Sequence, residues 1–269
     1  MATNPLNITA FSLNIVQEDC VANLRAVENA MASLRSDTDV FVLPELFSTG
    51  FLSDPEQVAQ YAETDDGYTL NSLRALAARH RVAICGSVLA RNADRTEFYN
   101  RAFFIEPSGS TVFCNKRHLF CLSPESKLMT HGKMPYPTVR FRGWNIGFGV
   151  CYDLRFPVWC RNRTVHGSQA YDIFIFTANW PEVRGYALDV LLRARAIENQ
   201  AYTVCANRSG EDAYGKYDGQ SYMNDFMGQT LARSVDEDII YMTADRLALN
   251  SARRKLPAAS DADIFEIKY

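Results

Sequence analysis

The chain has 269 residues, 47% of them hydrophobic and 22% charged, which suffices for one large core in a single domain over residues 1–269. A net charge of −3 and a pI near 5.9 leave no basic footprint for nucleic acid and no polybasic patch for a membrane surface. With a mean hydropathy of −0.19, the chain holds no apolar run of the ~20 residues that a membrane-spanning helix needs.

No charged stretch leads into an apolar one after Met1, so no secretory leader is expected. The seven cysteines form neither a CxxC pair nor a Cys/His spacing suited to zinc. The expectation is a cytoplasmic protein with reduced thiols, most of them small core residues.

Residues 6–16 alternate as a strand should, and 21–34 carry apolar residues at helical spacing. Residues 39–43 are a short apolar run stopped by Pro44, which suits a buried strand. A helix is predicted over 70–80 and a strand over 82–89. Strands at 100–106 and 111–115 flank the turn Pro107-Ser-Gly-Ser, and strands at 139–141 and 145–150 flank Arg142-Gly-Trp. A buried strand at 171–177, a long helix over 183–200 and a strand at 201–206 follow. Strands interleaved with both helices and hairpins predict an α/β protein with mixed sheets.

Three segments could carry chemistry. In Gly147-Phe-Gly-Val-Cys-Tyr-Asp-Leu-Arg-Phe-Pro157 an apolar strand runs into Cys151, and Pro157 suits the first turn of a helix. A thiol at such a corner is exposed at a sheet edge, where backbone N–H groups favour a thiolate and a developing oxyanion. In Leu43-Pro-Glu-Leu-Phe-Ser-Thr-Gly-Phe51, Glu45 follows a strand and is set among apolar side chains that would favour a general base. In Phe113-Cys-Asn-Lys-Arg-His-Leu-Phe120, Lys116 ends a strand, where its ammonium could hold an oxyanion or help activate a thiol. Of four histidines (His80, His118, His131 and His166), only His118 lies beside one of these segments, and a Cys/His hydrolase stays open as a rival.

The carboxylate, the ammonium and the thiol each follow a strand, and strand ends at one sheet edge converge in space. In that order the three segments resemble the nitrilase, or carbon–nitrogen hydrolase, superfamily over nearly the whole chain. Glu45-Leu-Phe-Ser-Thr-Gly-Phe, Lys116-Arg-His-Leu-Phe, Cys151-Tyr-Asp-Leu-Arg-Phe-Pro-Val-Trp, Ala178-Asn-Trp-Pro and Arg193-Ala-Arg-Ala-Ile-Glu-Asn-Gln200 are similar to its ω-amidase branch. That resemblance implies a four-layer α-β-β-α sandwich with two mixed sheets, and a homodimer packed helix layer to helix layer through the 183–200 helix and the helix after Pro157. It also implies a second glutamate between lysine and cysteine. Glu125 in Pro124-Glu-Ser-Lys matches it, although Leu128-Met-Thr-His nearby departs from the pattern.

The implied reaction is hydrolysis of the side-chain amide of a small α-keto acid such as 2-oxoglutaramate, without metal or organic cofactor. Glu45 would take the Cys151 proton, and the thiolate would attack the amide carbonyl. Lys116 and the Tyr152 backbone N–H would hold the oxyanion. A substrate carboxylate needs a cation, for which Arg155, Arg184 and Arg208 are candidates; Phe51 and Trp180 could wall the pocket. An N-carbamoyl amino acid amidohydrolase or another short-chain aliphatic amidase would use the same residues. A catalytically silent relative would be expected to have lost one of the three.

Overall fold

In the computed structural model, residues 5–165, 168–235 and 237–268 are described. His166 lies outside them. The chain opens with β1 (Leu6–Phe11), α1 (Cys20–Ala32), β2 (Val40–Val42), α2 (Pro55–Tyr61) and α3 (Tyr68–His80), then β3 (Ala83–Arg91), β4 (Phe98–Ile105) and β5 (Thr111–Asn115). The short α4 (Glu125–Leu128) leads to β6 (Thr138–Phe141) and β7 (Trp144–Val150), a 3₁₀ turn at Cys151–Arg155 and the single-turn α5 (Pro157–Cys160). After the short strands β8 (Thr164–Val165) and β9 (Ser168–Gln169) come β10 (Ile173–Ala178), a 3₁₀ turn at Glu182–Arg184 and α6 (Gly185–Asn199). The remainder is β11 (Tyr202–Asn207), β12 (Ser209–Asp212), β13 (Gly215–Asp218), β14 (Tyr222–Asn224), β15 (Thr230–Arg233), β16 (Ile239–Ala244) and α7 (Arg246–Lys255), with a last 3₁₀ turn at Ala258–Asp261.

Two six-stranded mixed sheets result. One has the order β16-β1-β2-β3-β4-β5, the other β15-β14-β11-β10-β7-β6. In each, three parallel strands are flanked by antiparallel ones: β1, β2 and β3 in the first, β7, β10 and β11 in the second. The period-2 alternation of each strand divides its side chains between two cores. Val40 and Val42, Ala83 and Cys85 face inward with Ile146, Phe148 and Val150 of the other sheet. Phe41, Ile84 and Phe103 face outward, onto Leu24, Val27 and Met31 of α1 and Leu70 and Leu73 of α3. Leu188 and Leu192 of α6 cover the second sheet from its far side. The order helix, sheet, sheet, helix is the sandwich the sequence implied.

Local chemistry sets the element ends. Asp19 caps α1 through the Ala22 N–H at 2.9 Å, and Asp54 caps α2 with Pro55 in its first turn. The β6–β7 turn has positive φ at both Arg142 and Gly143 (48° and 84°), the combination that a tight two-residue hairpin needs.

Three expectations are corrected. The first strand stops at Phe11: the Ser12 amide makes a last bond in the β16 register, to the Asp238 carbonyl, and the following residues go over to the β12 region, where the Leu13 carbonyl accepts the Ser209 amide and Asn14 bridges Ser209. The long helix begins at Gly185, since Pro181 first directs the chain into a 3₁₀ turn. The helix expected after Pro157 is a single turn of four residues.

Candidate active site

Glu45 lies three residues beyond β2, Lys116 directly follows β5, and Cys151 directly follows β7. The three strand ends therefore belong to two sheets, not to one sheet edge as the sequence suggested. The sheets are tied together where they meet: the Glu45 amide bonds the Ala178 carbonyl at the end of β10, and the Asn179 amide donates to Glu45 Oε2 at 2.9 Å.

Lys116 is 3% exposed, and its Nζ stands 2.8 Å from Glu45 Oε1 and 2.9 Å from both oxygens of Glu125. Burial works against the ammonium, but the charges of Glu125 and Glu45 outweigh it and hold the Lys116 pKa well above the usual lysine value. Glu125 is 1% exposed and also accepts the Phe120 amide at 2.7 Å, so the four-residue α4 is anchored by the very carboxylate it supplies. Asn100, which starts the inner part of β4, donates to both Glu45 Oε1 (2.7 Å) and Glu125 Oε1 (3.0 Å), while Ser87 Oγ holds its carbonyl oxygen at 2.9 Å. Sequence reasoning set Glu45 in an apolar nest. The structure instead surrounds its carboxylate with the ammonium, an amide side chain and a backbone N–H.

Cys151 has φ +43°, a backbone conformation rare for any residue with a Cβ, and it opens the 3₁₀ turn rather than ending the strand. Burial and then the Glu45 carboxylate, by its charge and a hydrogen bond, push the thiol pKa well above its ordinary value, while Lys116 opposes them. The resting side chain is therefore a thiol poised beside a carboxylate. The Tyr152 N–H lies in the first turn of the 3₁₀ segment, where no preceding carbonyl of that turn reaches it.

Glu45, Lys116, Glu125, Cys151 and Tyr152 line one cavity of about 200 Å³. Phe51, Arg155, Trp180 and Arg184 line it too. Arg208 does not. It is fully buried and paired with Asp212 at 2.7 Å, its guanidinium donates to the Ile15 carbonyl at 3.2 Å, and it lies 4.5 Å from the Tyr217 ring. Its role is to brace the β12–β13 hairpin, whose Tyr214 and Tyr217 complete the cavity wall. His118 does not line the cavity either, so the Cys/His rival loses its base. Asn100, Asn179, Tyr214 and Tyr217 were not singled out from sequence. A polar Asn100 in an otherwise apolar strand, and Asn179 within Ala-Asn-Trp-Pro, were the available signals. Among the described residues no group of three or more His, Cys, Asp or Glu side chains is placed to hold a metal ion.

Residues 7–254 match the carbon-nitrogen hydrolase family. An omega-amidase, YafV, of Yersinia enterocolitica is 37% identical over 97% of this chain and 98% of its own length. A 2-oxoglutaramate amidase of Bacillus subtilis is 29% identical over 89% of this chain and 90% of its own. The crystal structure of XC1258 from Xanthomonas campestris, a CN-hydrolase superfamily protein with an arsenic adduct in its active site, superposes with a TM-score of 0.92 at 35% identity. It covers 98% of this chain and 99% of that one.

Proposed function

Given that the chain belongs to the carbon–nitrogen hydrolase family and is an amide-hydrolysing enzyme, we propose that it cleaves the side-chain amide of a small α-keto acid, such as 2-oxoglutaramate or 2-oxosuccinamate, to the dicarboxylate and ammonia. The observation that carries the substrate reading is the pair Arg155 and Arg184. Both line the cavity of Cys151, each over an aromatic ring (Trp180 at 4.7 Å, Phe120 at 5.2 Å), and neither has a carboxylate partner among the described residues. Two guanidiniums held by stacking, with their donors unspent, suit the carboxylate of an anionic amide.

In the proposed reaction Glu45 accepts the Cys151 proton and the thiolate adds to the amide carbonyl. The Lys116 charge and the Tyr152 N–H stabilise the oxyanion, in a site where burial strengthens both. Glu45 returns its proton to departing ammonia. A water activated by the same carboxylate then hydrolyses the thioester. Glu125 fixes Lys116 by its two-oxygen grip. Asn179 presents a side-chain amide whose oxygen and nitrogen are both buried without a hydrogen-bond partner, and the substrate would supply those partners. A role for the whole chain as one cytoplasmic catalytic unit, free of metal and organic cofactor and working as a homodimer, completes the reading. The outward stripe Tyr186, Val190 and Ile197 on α6 supports the dimer, which sedimentation analysis would check.

The direct test is ammonia release from 2-oxoglutaramate, glutamine, an N-carbamoyl amino acid and an aliphatic nitrile. The keto-acid amide is expected to turn over fastest. Strong activity on the N-carbamoyl amino acid with none on 2-oxoglutaramate would replace the substrate class and leave the catalytic residues in place.

A further inference from the structure

Two residues past Lys116, His118 is committed to a contact that the reaction above does not use. Its ring Nδ1 lies 2.8 Å from Asp153 Oδ1, and its backbone N–H reaches the same oxygen at 2.9 Å. Because a carboxylate oxygen only accepts, Nδ1 carries the proton. The other oxygen of Asp153 accepts the Val150 N–H at 3.1 Å, closing the turn around Cys151. Asp153 is wholly buried, so all three donors meet a carboxylate that water does not reach.

We propose that Asp153 and His118 are a positioning pair that holds the Cys151 turn in register with Lys116. The proposal rests on the reading of Cys151 as the nucleophile. Lys116 and Cys151 stand on different sheets, and this carboxylate is where the two chain segments join. On the Lys116 side the segment is secured to its own sheet: the Lys116 amide bonds the Asn100 carbonyl, and the Lys116 carbonyl accepts the Gly132 amide, each at 2.8 Å. On the Cys151 side the His118 ring stacks on Phe156 at 3.6 Å and meets Trp159 edge-on at 5.9 Å, both residues lying just beyond the turn. A positive φ at Cys151 persists only where its surroundings over-determine it, and the Val150–Asp153 bond is the part of those surroundings that reaches across to the lysine. Arg184 and Asn179 belong to other segments, so releasing the pair disturbs the alignment of thiol and ammonium more than it disturbs substrate binding.

The test compares His118→Ala, His118→Asn and Asp153→Asn with the wild type and Cys151→Ala, on whichever amide of the panel the wild type turns over fastest. His118→Ala is expected to lower kcat about ten- to a hundredfold with KM within about threefold, since small misplacements of reacting groups cost that much. His118→Asn, whose amide nitrogen can take the place of Nδ1, is expected to recover most of the loss. Asp153→Asn turns an amide N–H toward a donor and should fall with His118→Ala; the double variant should be no slower than Asp153→Asn alone. If Asp153→Asn does not fold, the two His118 variants decide the matter. A wild-type kcat in His118→Ala would overturn the proposal, as would a loss confined to KM. So would His118→Asn as slow as His118→Ala, which would assign the imidazole acid–base chemistry. An active Cys151→Ala would instead remove the nucleophile reading itself, whereas an inert Cys151→Ala beside a fully active His118→Ala would remove only the positioning pair.

Discussion

The molecule buries two three-membered charge clusters at different places in the fold, and they are opposite in make-up. In the cavity, one ammonium (Lys116) lies between two carboxyl groups (Glu45 and Glu125). At the start of β10, one carboxylate (Asp172) lies between two guanidiniums, Arg246 at 2.6 Å and Arg253 at 2.8 Å. The second cluster is saturated by its own surroundings. Asp172 also accepts the Asn145 amide, Arg253 bonds the Tyr171 and Gln200 carbonyls, and Arg246 bonds Gly143 and lies over Trp144. The first cluster opens onto the cavity and onto the Cys151 thiol. Both are buried ion networks of similar geometry, and only the first sets an excess of carboxyl groups beside a thiol. Buried charge alone does not mark a catalytic site; unspent hydrogen-bonding capacity facing a cavity does.

Removing one carboxylate from each cluster should separate their roles most sharply. Glu45→Gln is expected to cut turnover about a thousandfold, because the base is gone while the Lys116–Glu125 bridge remains. Its thiol should also titrate at lower pH than the wild-type thiol, since the Glu45 charge raises the Cys151 pKa. Absorbance of the thiolate would read the shift. Asp172→Ala is expected to cost about 3 kcal/mol of stability by stranding two mostly buried guanidiniums, with kcat of the folded fraction unchanged. Urea unfolding beside an activity assay checks both halves. A loss of kcat there would mean that the second cluster is linked to the site.

Alkaline pH should act on the buried core thiols and on the cavity ammonium. The folded state keeps Cys85, Cys114, Cys160 and Cys205 protonated through burial, and Lys116 charged, beyond the pH at which the unfolded groups lose their protons. Stability from these groups is complete below about pH 9 and is lost as the pH climbs toward their folded values, at up to about 1.4 kcal/mol per pH unit for each thiol. Thermal unfolding scanned from pH 8 to 11 should therefore show a decline that Cys205→Ala reduces and Asp172→Ala does not. The smallest effect is expected at the cavity rim: Arg184→Ala should raise KM about tenfold for an anionic amide and leave a neutral amide unaffected. Equal losses on both substrates would make Arg184 a wall and not a carboxylate ligand.

Sequence alone made Glu45, Lys116 and Cys151 legible, because each sits in a dense local segment after an apolar strand, and it drew in Glu125 through a resemblance. It also determined the mixed α/β character, since the periods of residues 21–34, 70–80 and 171–177 are local properties of the chain. It did not reveal β12 through β16: β12–β13 and β14–β15 are hairpins of very short strands, and β16 pairs with β1 at the other end of the chain. Nor did it separate Arg208 from Arg155 and Arg184, because one guanidinium resembles another until Asp212 and Tyr217 fold against it. Asn100 and Asn179 became functional candidates only when two sheets placed them against the same carboxylate. Residue types and strand ends are written locally. Which ends meet, which charges are already satisfied, and which hydrogen bonds remain open are set by the packing of one sheet on the other.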